Sequence, residues 1–357
     1  IGTVYKNSII ELNDINIDEN TKYFSIKDLN YDISYKDVSV NDETPSVLSK
    51  LAKENRYKNY IIFNKNLVTK DSYSLYYNGV KTYTFNNSDT YPIIINNYED
   101  YYYVEYNNKL YGINKDDVKE IVNANNSTKK NKDYITTLCY HRITDSMQGY
   151  EYTIYRKVAK FDSDMKYIKD NGYLTLTMEE MVMYLQGNIM IEKGVTVTLD
   201  DGWYIDDAEK IFKKYELNGT AFVITSNDWN YSVYDQEYVQ LHSHTHDMHT
   251  PWVCPRGLSK IGSDTQGGGI LCKGEEFIMN DLKTSRDFLN GAIGFAYPFY
   301  DYNDEAIGYL KKAGFKIAFI GANGVQGKAW PNKTNLFMVP RRTVWDNYTT
   351  EKVAGYL

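Results

Sequence analysis

The pattern of hydrophobic and polar positions changes once along the chain, near residue 125. Before that point the apolar residues form short segments with a period of two, which is typical of β-strands. Two pairs of these segments flank turn-forming residues and predict β-hairpins: residues 74–77 with 82–85 about Asn78-Gly79, and residues 101–106 with 109–113 about Asn107-Asn108. Several short strands at this spacing predict a small, mostly β domain.

After residue 134, β-branched runs alternate with longer segments of helical periodicity. Phe161, Met165 and Ile168 share one helical face, and Gly172 follows them as a stop signal. Further helices are predicted over residues 178–185, 208–215, 277–289 and 304–312, and strands over residues 195–199, 220–224, 294–297 and 316–320. Repeated strand–helix units imply a parallel sheet, so we expect an α/β fold whose sheet closes as a barrel.

These patterns divide the chain into four parts. Residues 1–65 contain one predicted helix, over residues 45–54, and otherwise indicate no fold. Residues 66–122 form the predicted β domain. Residues 123–133 are polar and poor in hydrophobic side chains, which predicts a linker. Residues 134–357 carry the strand–helix repeats and therefore the expected barrel.

Two polar motifs each follow a buried strand of the second pattern: residues 198–202 (TLDDG) and residues 242–246 (HSHTH). Two adjacent carboxylates at a strand end are costly to desolvate unless a cation neutralises one of them. His242 and His246 are four residues apart, so a helical turn, or a tight turn of similar pitch, would aim both imidazoles the same way. Two His and one Asp leave coordination positions open, which predicts a catalytic metal site at the carboxyl ends of the strands.

Charge and composition narrow the range of partners. The net charge of -7 argues against a nucleic-acid or anionic-membrane partner. No apolar run reaches the length that a transmembrane segment needs. The chain begins at Ile1 rather than Met, so the absence of a signal peptide says little about localisation. The 36 Tyr fit either a biased codon usage or exposed rings that stack on sugars.

The three cysteines predict no zinc site of their own, because none of them forms a CxxC pair. Cys254 and Cys272 lie on either side of a Gly-rich loop and are either bridged, if the protein is exported, or free. Cys139 follows a β-branched run and is expected to be a buried thiol that packs as a small hydrophobic residue.

The motifs together resemble the polysaccharide deacetylase family (carbohydrate esterase family 4, the NodB homology domain). Residues 198–202 resemble its T-F-D-D-G motif, with Leu199 in place of Phe. Residues 242–246 match its H-[S/T]-x-x-H motif, and residues 297–299 (YPF) match its third motif. The resemblance covers residues 135–345 and implies a distorted (β/α) barrel of seven or eight strands. Residues 102–118 are similar to the end of a bacterial SH3-like domain.

The resemblance also implies roles for individual residues. Asp201, His242 and His246 would hold one divalent metal ion, with zinc expected and cobalt or nickel as alternatives. Asp200 would be the general base that takes a proton from the attacking water. The backbone N–H of Tyr297, followed by Pro298, would stabilise the oxyanion. Ser243 would hydrogen-bond within its loop and orient a ligand.

Two functional residues of the family pattern are missing from this sequence. No Arg precedes Tyr297 at the family position, and no His follows His249 in the chain. His141, at the end of the first predicted barrel strand, is the candidate general acid. Its Tyr-His context resembles the branch that deacetylates poly-N-acetylglucosamine. Arg341 or Arg342 could pair with Asp200 in place of the missing Arg.

Four further residues have alternative interpretations. Trp203 could form a wall of the site or pack in the core, and Trp345 could stack on a sugar. His244 is expected to have a structural or solvent-facing role, because helical spacing would point it away from the metal. His249 could approach the site from its loop, but a structural role is expected for it.

The favoured hypothesis is therefore an extracellular or cell-surface, metal-dependent N-deacetylase acting on N-acetylglucosamine units of a polysaccharide. An exopolysaccharide and peptidoglycan both remain open as the substrate, and the SH3-like region would favour attachment to the cell wall. The alternative is a non-catalytic glycan-binding protein built on a degenerate barrel. Bound metal discriminates the two, because a binding protein has no use for a stoichiometric ion.

Overall fold

The computed structural model describes residues 23–25, 32–34, 56–77, 79–146, 154–227, 229–251, 253–260, 268–321 and 326–357. The helix predicted over residues 45–54 lies outside these ranges. The chain forms two compact units: residues 1–58 with 62–126, and residues 59–61 with 127–357. The boundary between residues 126 and 127 falls inside the segment predicted as a linker.

The first unit is built from short antiparallel strands. They are β1 (Tyr23–Ser25), β2 (Asp32–Ser34), β3 (Lys65–Thr69), β4 (Tyr73–Tyr77), β5 (Val80–Phe85), β6 (Thr90–Pro92), β7 (Ile95–Tyr98), β8 (Tyr101–Tyr106), β9 (Lys109–Asn114) and β10 (Val118–Asn123). Sheets of order β10-β3-β6 and β5-β4-β9-β8-β7 enclose a core that includes Leu67, Leu75 and Val104. Both predicted hairpins are confirmed, as β4–β5 and β8–β9. The SH3-like resemblance stays a prediction.

The second unit alternates strands and helices, as the sequence pattern predicts. Its strands are β11 (Ile135–Tyr140), β12 (Arg142–Ile143), β13 (Tyr155–Arg156), β14 (Leu174–Thr175), β15 (Gly194–Leu199), β16 (Gly219–Val223), β17 (Val239–Ser243), β18 (Gly294–Ala296), β19 (Ile317–Ile320), β20 (Lys328–Ala329), β21 (Val339–Pro340) and β22 (Arg342–Thr343). Its helices are α1 (Val158–Asp170), α2 (Met178–Leu185), α3 (Asp206–Tyr215), α4 (Glu275–Phe288), α5 (Asp304–Lys312) and α6 (Thr350–Ala354).

The strands of this unit form a nearly closed barrel. Strands β11, β15, β16, β17, β18, β19 and β21 follow one another in parallel pairs. Strand β22, which comes directly after β21 with one residue between them, pairs in parallel with β11 and so joins the two ends of the sheet. Arg341 is the residue between β21 and β22. The segment that closes the barrel therefore also carries a fully buried guanidinium.

The local signals explain where several helices begin and end. Thr177 and Glu180 form a capping box at the start of α2, because each side chain accepts a hydrogen bond from the other residue's backbone N–H. Gly172, the predicted stop after α1, adopts a positive φ of 68°. Helix α3 ends at Glu216, which takes the left-handed conformation before the predicted Asn218-Gly219 stop. Every helix among the described residues is too short or too polar to cross a bilayer.

The structure decides whether Cys254 and Cys272 are bridged or free. Cys254 and Cys272 form a disulfide whose Cα atoms are 5.6 Å apart. Cys139 is a free and fully buried thiol, in agreement with its position inside strand β11.

A buried ion pair connects helix α1 to the segment that precedes α6, the last helix of the chain. Arg156 donates two hydrogen bonds to Asp164 of α1, at 3.0 and 2.8 Å, and both side chains are completely buried. The same guanidinium donates to the carbonyl oxygens of Trp345 and Tyr348. Thr350 donates to Asp164 from the start of α6. The pair therefore holds the segment before α6 against α1.

We expect Arg156→Met to lower the free energy of unfolding by about 3–5 kcal/mol, because it leaves Asp164 buried without its countercharge. Urea denaturation measures the change. Lys214→Met is the control: it breaks the Lys214–Asp162 pair, whose lysine side chain is 56% exposed, and should cost less than about 1 kcal/mol. Equal losses in the two variants would contradict the role assigned to Arg156.

Candidate active site

The chemistry-bearing residues gather at the carboxyl ends of the barrel strands. Asp200 and Asp201 follow β15, His141 follows β11, and His244 follows β17. This edge is where parallel barrels place their functional side chains. The backbone there is unusual: Asp201, Thr245, Phe299 and Tyr300 adopt positive φ angles of 73°, 76°, 56° and 64°. Non-glycine residues in this conformation are uncommon and cluster at functional sites.

Asp200 and Arg341 form a buried bidentate ion pair. The two guanidinium nitrogens of Arg341 donate to the two carboxylate oxygens of Asp200 at 2.6 and 2.7 Å. Burial alone would raise the pKa of Asp200, but the charge and hydrogen bonds of Arg341 outweigh it and hold the pKa well below its ordinary value. Of the two arginines considered from the sequence, the structure therefore pairs Arg341 with the proposed base. Arg342 instead bonds to the hydroxyls of Tyr348 and Tyr356.

Aromatic rings on both sides hold Arg341 in place. Its guanidinium carbon lies 5.3 Å from the ring centroid of Tyr300 and 5.6 Å from that of Phe222. The hydroxyl of Tyr300 is hydrogen-bonded to Thr343 of β22. A guanidinium packed between rings and bonded to a carboxylate has little freedom to move, so Asp200 is held in one orientation.

Asp201 lies beside two histidines. Its Oδ1 is 3.6 Å from Nε2 of His244 and 3.5 Å from Nε2 of His249. Nδ1 of His244 is 2.8 Å from the carbonyl oxygen of Ala296. That carbonyl can only accept, so in the neutral ring Nδ1 carries the proton and the Nε2 lone pair faces Asp201. Burial and the neighbouring His244 lower the pKa of His249 to about 4, so the imidazole of His249 is neutral at pH 7.

The predicted ligand pair His242 and His246 is corrected by this geometry. Nδ1 of His242 accepts a hydrogen bond from the backbone N–H of Gly294 at 3.2 Å, and burial lowers the pKa of His242 to about 3. Its ring packs against Phe222 inside the barrel. Nδ1 of His246 is 3.0 Å from the hydroxyl of Thr225. Among the described residues, the histidines whose ligand atoms lie within 4.8 Å of Asp201 and of each other are His244 and His249.

The segment is not helical, so the spacing of four residues does not aim His242 and His246 at the same point. His242 lies within strand β17, where alternate residues point to the same face, so His242 and His244 both point into the barrel. His244 lies beyond the end of the strand, closer to the carboxyl edge than His242. The positive φ of Thr245 then turns the chain so that His249 reaches Asp201. His244 and His249, predicted to be structural, are the residues that the fold brings to the carboxylate.

His141 lies close to Asp200, as its place at the end of β11 predicts. Ligand atoms of Cys139, His141 and Asp200 all lie within 4.8 Å of one another. Burial lowers the pKa of His141, while the charges of Asp200 and Asp201 oppose that shift. The sulfur of Cys139 is 3.7 Å from Oδ2 of Asp200. Burial raises the pKa of the Cys139 thiol to about 12, so it remains protonated at neutral pH.

Tyr297 and Pro298 do not have the predicted role. The backbone N–H of Tyr297 donates to the carbonyl oxygen of Phe319, and its hydroxyl donates to that of Phe337. Both Tyr297 and Pro298 are buried. The oxyanion assignment for Tyr297 is therefore corrected, because its N–H is used in the sheet. Among the described residues the N–H of Phe299 has no acceptor, and the Phe299 ring lies 4.6 Å from that of His249.

The two tryptophans have different surroundings. The guanidinium carbon of Arg142 lies 4.5 Å from the ring centroid of Trp203, which directly follows the Asp200-Asp201-Gly202 turn. Trp203 therefore packs against Arg142, and its role as a wall of the site stays a prediction. Trp345 is partly buried and packs against the main hydrophobic core. Its role in sugar stacking stays a prediction.

Side chains of α4 hold the histidine loop, and they were not predicted from the sequence. Asp281 accepts hydrogen bonds from the backbone N–H groups of His246 and Asp247, at 2.8 and 2.6 Å. The hydroxyl oxygens of Ser243 and Ser285 are 2.6 Å apart. Ser243 also accepts from the N–H of Thr245, so its expected bond within the loop is present. Asp281 and Ser285 are four residues apart on the predicted helix. This spacing places them on one face of the helix and could have indicated that they act together.

The donor set of Asp201, His244 and His249 fits a divalent metal ion. Two ligand atoms each about 2.1 Å from a tetrahedral metal lie about 3.4 Å apart. The distances of 3.5 and 3.6 Å between Asp201 and the two imidazoles are close to that value. The group of Cys139, His141 and Asp200 fits less well, because its thiol is protonated and both carboxylate oxygens are bonded to Arg341.

A parallel barrel with carboxylates and imidazoles at its carboxyl edge is typical of hydrolases that use a metal ion. Residues 188–318 match the family model described as polysaccharide deacetylase. A poly-beta-1,6-N-acetyl-D-glucosamine N-deacetylase of Staphylococcus aureus (strain MRSA252) is 25% identical over an alignment of 207 residues, which covers 53% of this chain and 67% of the relative.

Two solved structures share the fold. The Streptococcus pyogenes deacetylase PplD, in complex with acetate, has a TM-score of 0.52 and 22% identity, over 62% of this chain and 97% of its own. A polysaccharide deacetylase from Bacillus cereus has a TM-score of 0.52 and 19% identity, over 83% of this chain and 92% of its own. Residues 188–318 are therefore similar to polysaccharide deacetylases, and the predicted α/β barrel is confirmed.

The corrected ligand set predicts which histidines retain metal. His244→Gln and His249→Gln should each weaken Co²⁺ binding by more than the roughly 10–100-fold that follows loss of an outer hydrogen-bond partner. His246→Gln is the matched control and should keep affinity closer to that of the unchanged protein. Isothermal calorimetry with Co²⁺ measures all three. A strong loss in His246→Gln with retention in His249→Gln would restore the set predicted from the sequence.

Proposed function

We propose that this protein is a metal-dependent N-deacetylase that removes acetyl groups from N-acetylglucosamine units of an extracellular polysaccharide. The observation that carries the proposal is the placement of Asp201, His244 and His249 beside the Asp200–Arg341 pair. The relatives named poly-beta-1,6-N-acetyl-D-glucosamine N-deacetylase support an exopolysaccharide over peptidoglycan as the substrate. An extracellular or cell-surface location follows from that substrate.

Asp201, His244 and His249 would hold the metal ion, with zinc as the first choice for two imidazoles and one carboxylate, and cobalt or nickel as alternatives. When bound, the ion would lower the pKa of a water molecule towards neutrality and would polarise the acetamide carbonyl. The remaining steps are assigned to side chains and backbone groups of this chain.

Asp200 accepts the proton of the attacking water. Each of its oxygens already accepts one hydrogen bond from Arg341, but each retains a second lone pair. Arg341 fixes the direction in which those lone pairs point. The N–H of Phe299, which takes the place proposed for Tyr297, donates to the oxyanion that forms on the acetamide oxygen.

His141 donates a proton to the leaving amine. Its lowered pKa keeps the imidazole neutral in the resting site, so it must gain a proton before it can act as an acid. Asp200 is the neighbouring group that holds a proton after the attack, and its carboxylate lies within 4.8 Å of His141. The pair can thus take up one proton and return it to the product amine.

The proposal is tested by acetate release from a β-1,6-linked N-acetylglucosamine oligomer, with protein as purified, treated with chelator, and refilled with Zn²⁺ or Co²⁺. Chelation should abolish release and metal should restore it. Asp200→Asn and His141→Ala should each reduce kcat by about 10²–10⁴-fold, because each removes a proton-transfer group. Peptidoglycan fragments, assayed in parallel, discriminate the two substrates.

Two results would change the assignment. If His141→Ala keeps full activity while Asp200→Asn loses it, His141 is a structural residue. If the metal-loaded protein releases no acetate from either glycan, the chain is better described as a non-catalytic glycan-binding protein.

Arg341 provides a separate test of how the base is held. Arg341→Met should reduce kcat by at least about 10-fold, because Asp200 loses both hydrogen bonds that orient it. Arg342→Met removes the same charge one residue away and should leave kcat within about 2-fold. Steady-state kinetics with the β-1,6-linked oligomer measures both variants. Equal effects would show that charge, rather than the geometry of the pair, matters.

A further inference from the structure

We propose that Asp281 and Ser285, on one face of helix α4, are positioning residues for the two histidine ligands. The inference rests on the proposed metal site. The loop after β17 carries His244 and His249, and between them its backbone N–H groups face α4. Asp281 and Ser285 are one helical turn apart, so Asp281 meets this loop while Ser285 meets Ser243, the last residue of β17.

The contacts bind three consecutive N–H groups of the loop. The N–H of Thr245 donates to Ser243 Oγ at 3.1 Å, and Ser243 Oγ is 2.6 Å from Ser285 Oγ. The N–H groups of His246 and Asp247 donate to the two oxygens of Asp281 at 2.8 and 2.6 Å. Asp281 is 3% exposed and Ser285 is fully buried, so water competes little for these bonds.

The loop needs such support because its conformation is strained. Thr245 is β-branched and holds a φ of 76°, a conformation that persists only when surrounding contacts determine it. The two imidazoles must converge on Asp201 from positions before and after this turn. Relaxation of Thr245 would move His249 relative to His244, and the distances of 3.5 and 3.6 Å to Asp201 would no longer match one metal ion.

The carboxylate of Asp281 is suited to its two partners because it only accepts. In Asp281→Asn one of the two acceptors becomes an amide N–H₂, which would face a backbone N–H as donor against donor. In Ser285→Ala the hydroxyl contact with Ser243 is lost, while the helix keeps a residue that favours it. The two variants therefore weaken the same loop through different atoms.

We expect both variants to raise the Kd for Co²⁺ by about 10–100-fold, the range seen when groups that orient ligands are removed. Isothermal calorimetry on the full chain measures the affinity, and the visible absorption of bound Co²⁺ reports whether the coordination changes. Asp287→Asn, the same substitution at an exposed position of α4, is the control and should leave both readouts unchanged. Thermal unfolding of the metal-free proteins separates loss of fold from loss of ligand geometry.

Wild-type Kd and an unaltered Co²⁺ spectrum in both folded variants would overturn the inference. If Asp281→Asn does not fold, Ser285→Ala alone decides it on the same criteria. Failure of the proposed reaction is distinguishable, since the unchanged protein would then bind Co²⁺ and respond to these substitutions without releasing acetate. If the unchanged protein binds no Co²⁺, the inference fails together with the metal site.

Discussion

The ion pair between Asp200 and Arg341 connects the closure of the barrel to the organisation of its active edge. Asp200 follows strand β15, and Arg341 lies at the junction where the sheet closes between β21 and β22. A guanidinium completely removed from water is stable only if its donors are satisfied, so this junction must meet the carboxylate. The same contact fixes the proposed base, and the Tyr300 and Phe222 rings limit its motion. Fold closure and the orientation of Asp200 therefore depend on one interaction.

The histidines near this pair differ in how deeply they lie inside the barrel. His242 points into the barrel from within β17 and is a neutral core residue bonded to Gly294. His244 lies just beyond the strand end, where a carbonyl acceptor sets its tautomer and leaves Nε2 towards Asp201. Only the second environment offers an available lone pair next to a carboxylate. Four histidines within eight residues thus have different chemistry, because backbone direction and hydrogen-bond partners differ at each.

Strand and helix predictions succeeded where burial and periodicity agree. The segments predicted as helices at residues 178–185 and 304–312 are the observed α2 and α5. Their apolar stripes and caps lie in the local sequence, so little tertiary information is needed. The motif TLDDG also locates its two carboxylates at a strand end, because a β-branched run precedes it. The assignment of the histidines failed because it assumed a helical turn where the chain is extended and then turns at Thr245.

The sequence by itself determined the alternation of strands and helices, the two hairpins of the first unit, and the class of chemistry that aspartates and histidines at strand ends can perform. These properties depend on neighbours within a few residues or on residue type. The tertiary structure alone decided that Arg341 meets Asp200 across 141 positions, that His244 and His249 are the residues beside Asp201, and that the N–H of Tyr297 is used in the sheet. Such contacts depend on strand order, on which face each side chain occupies, and on which backbone groups are already paired, and no local pattern encodes them.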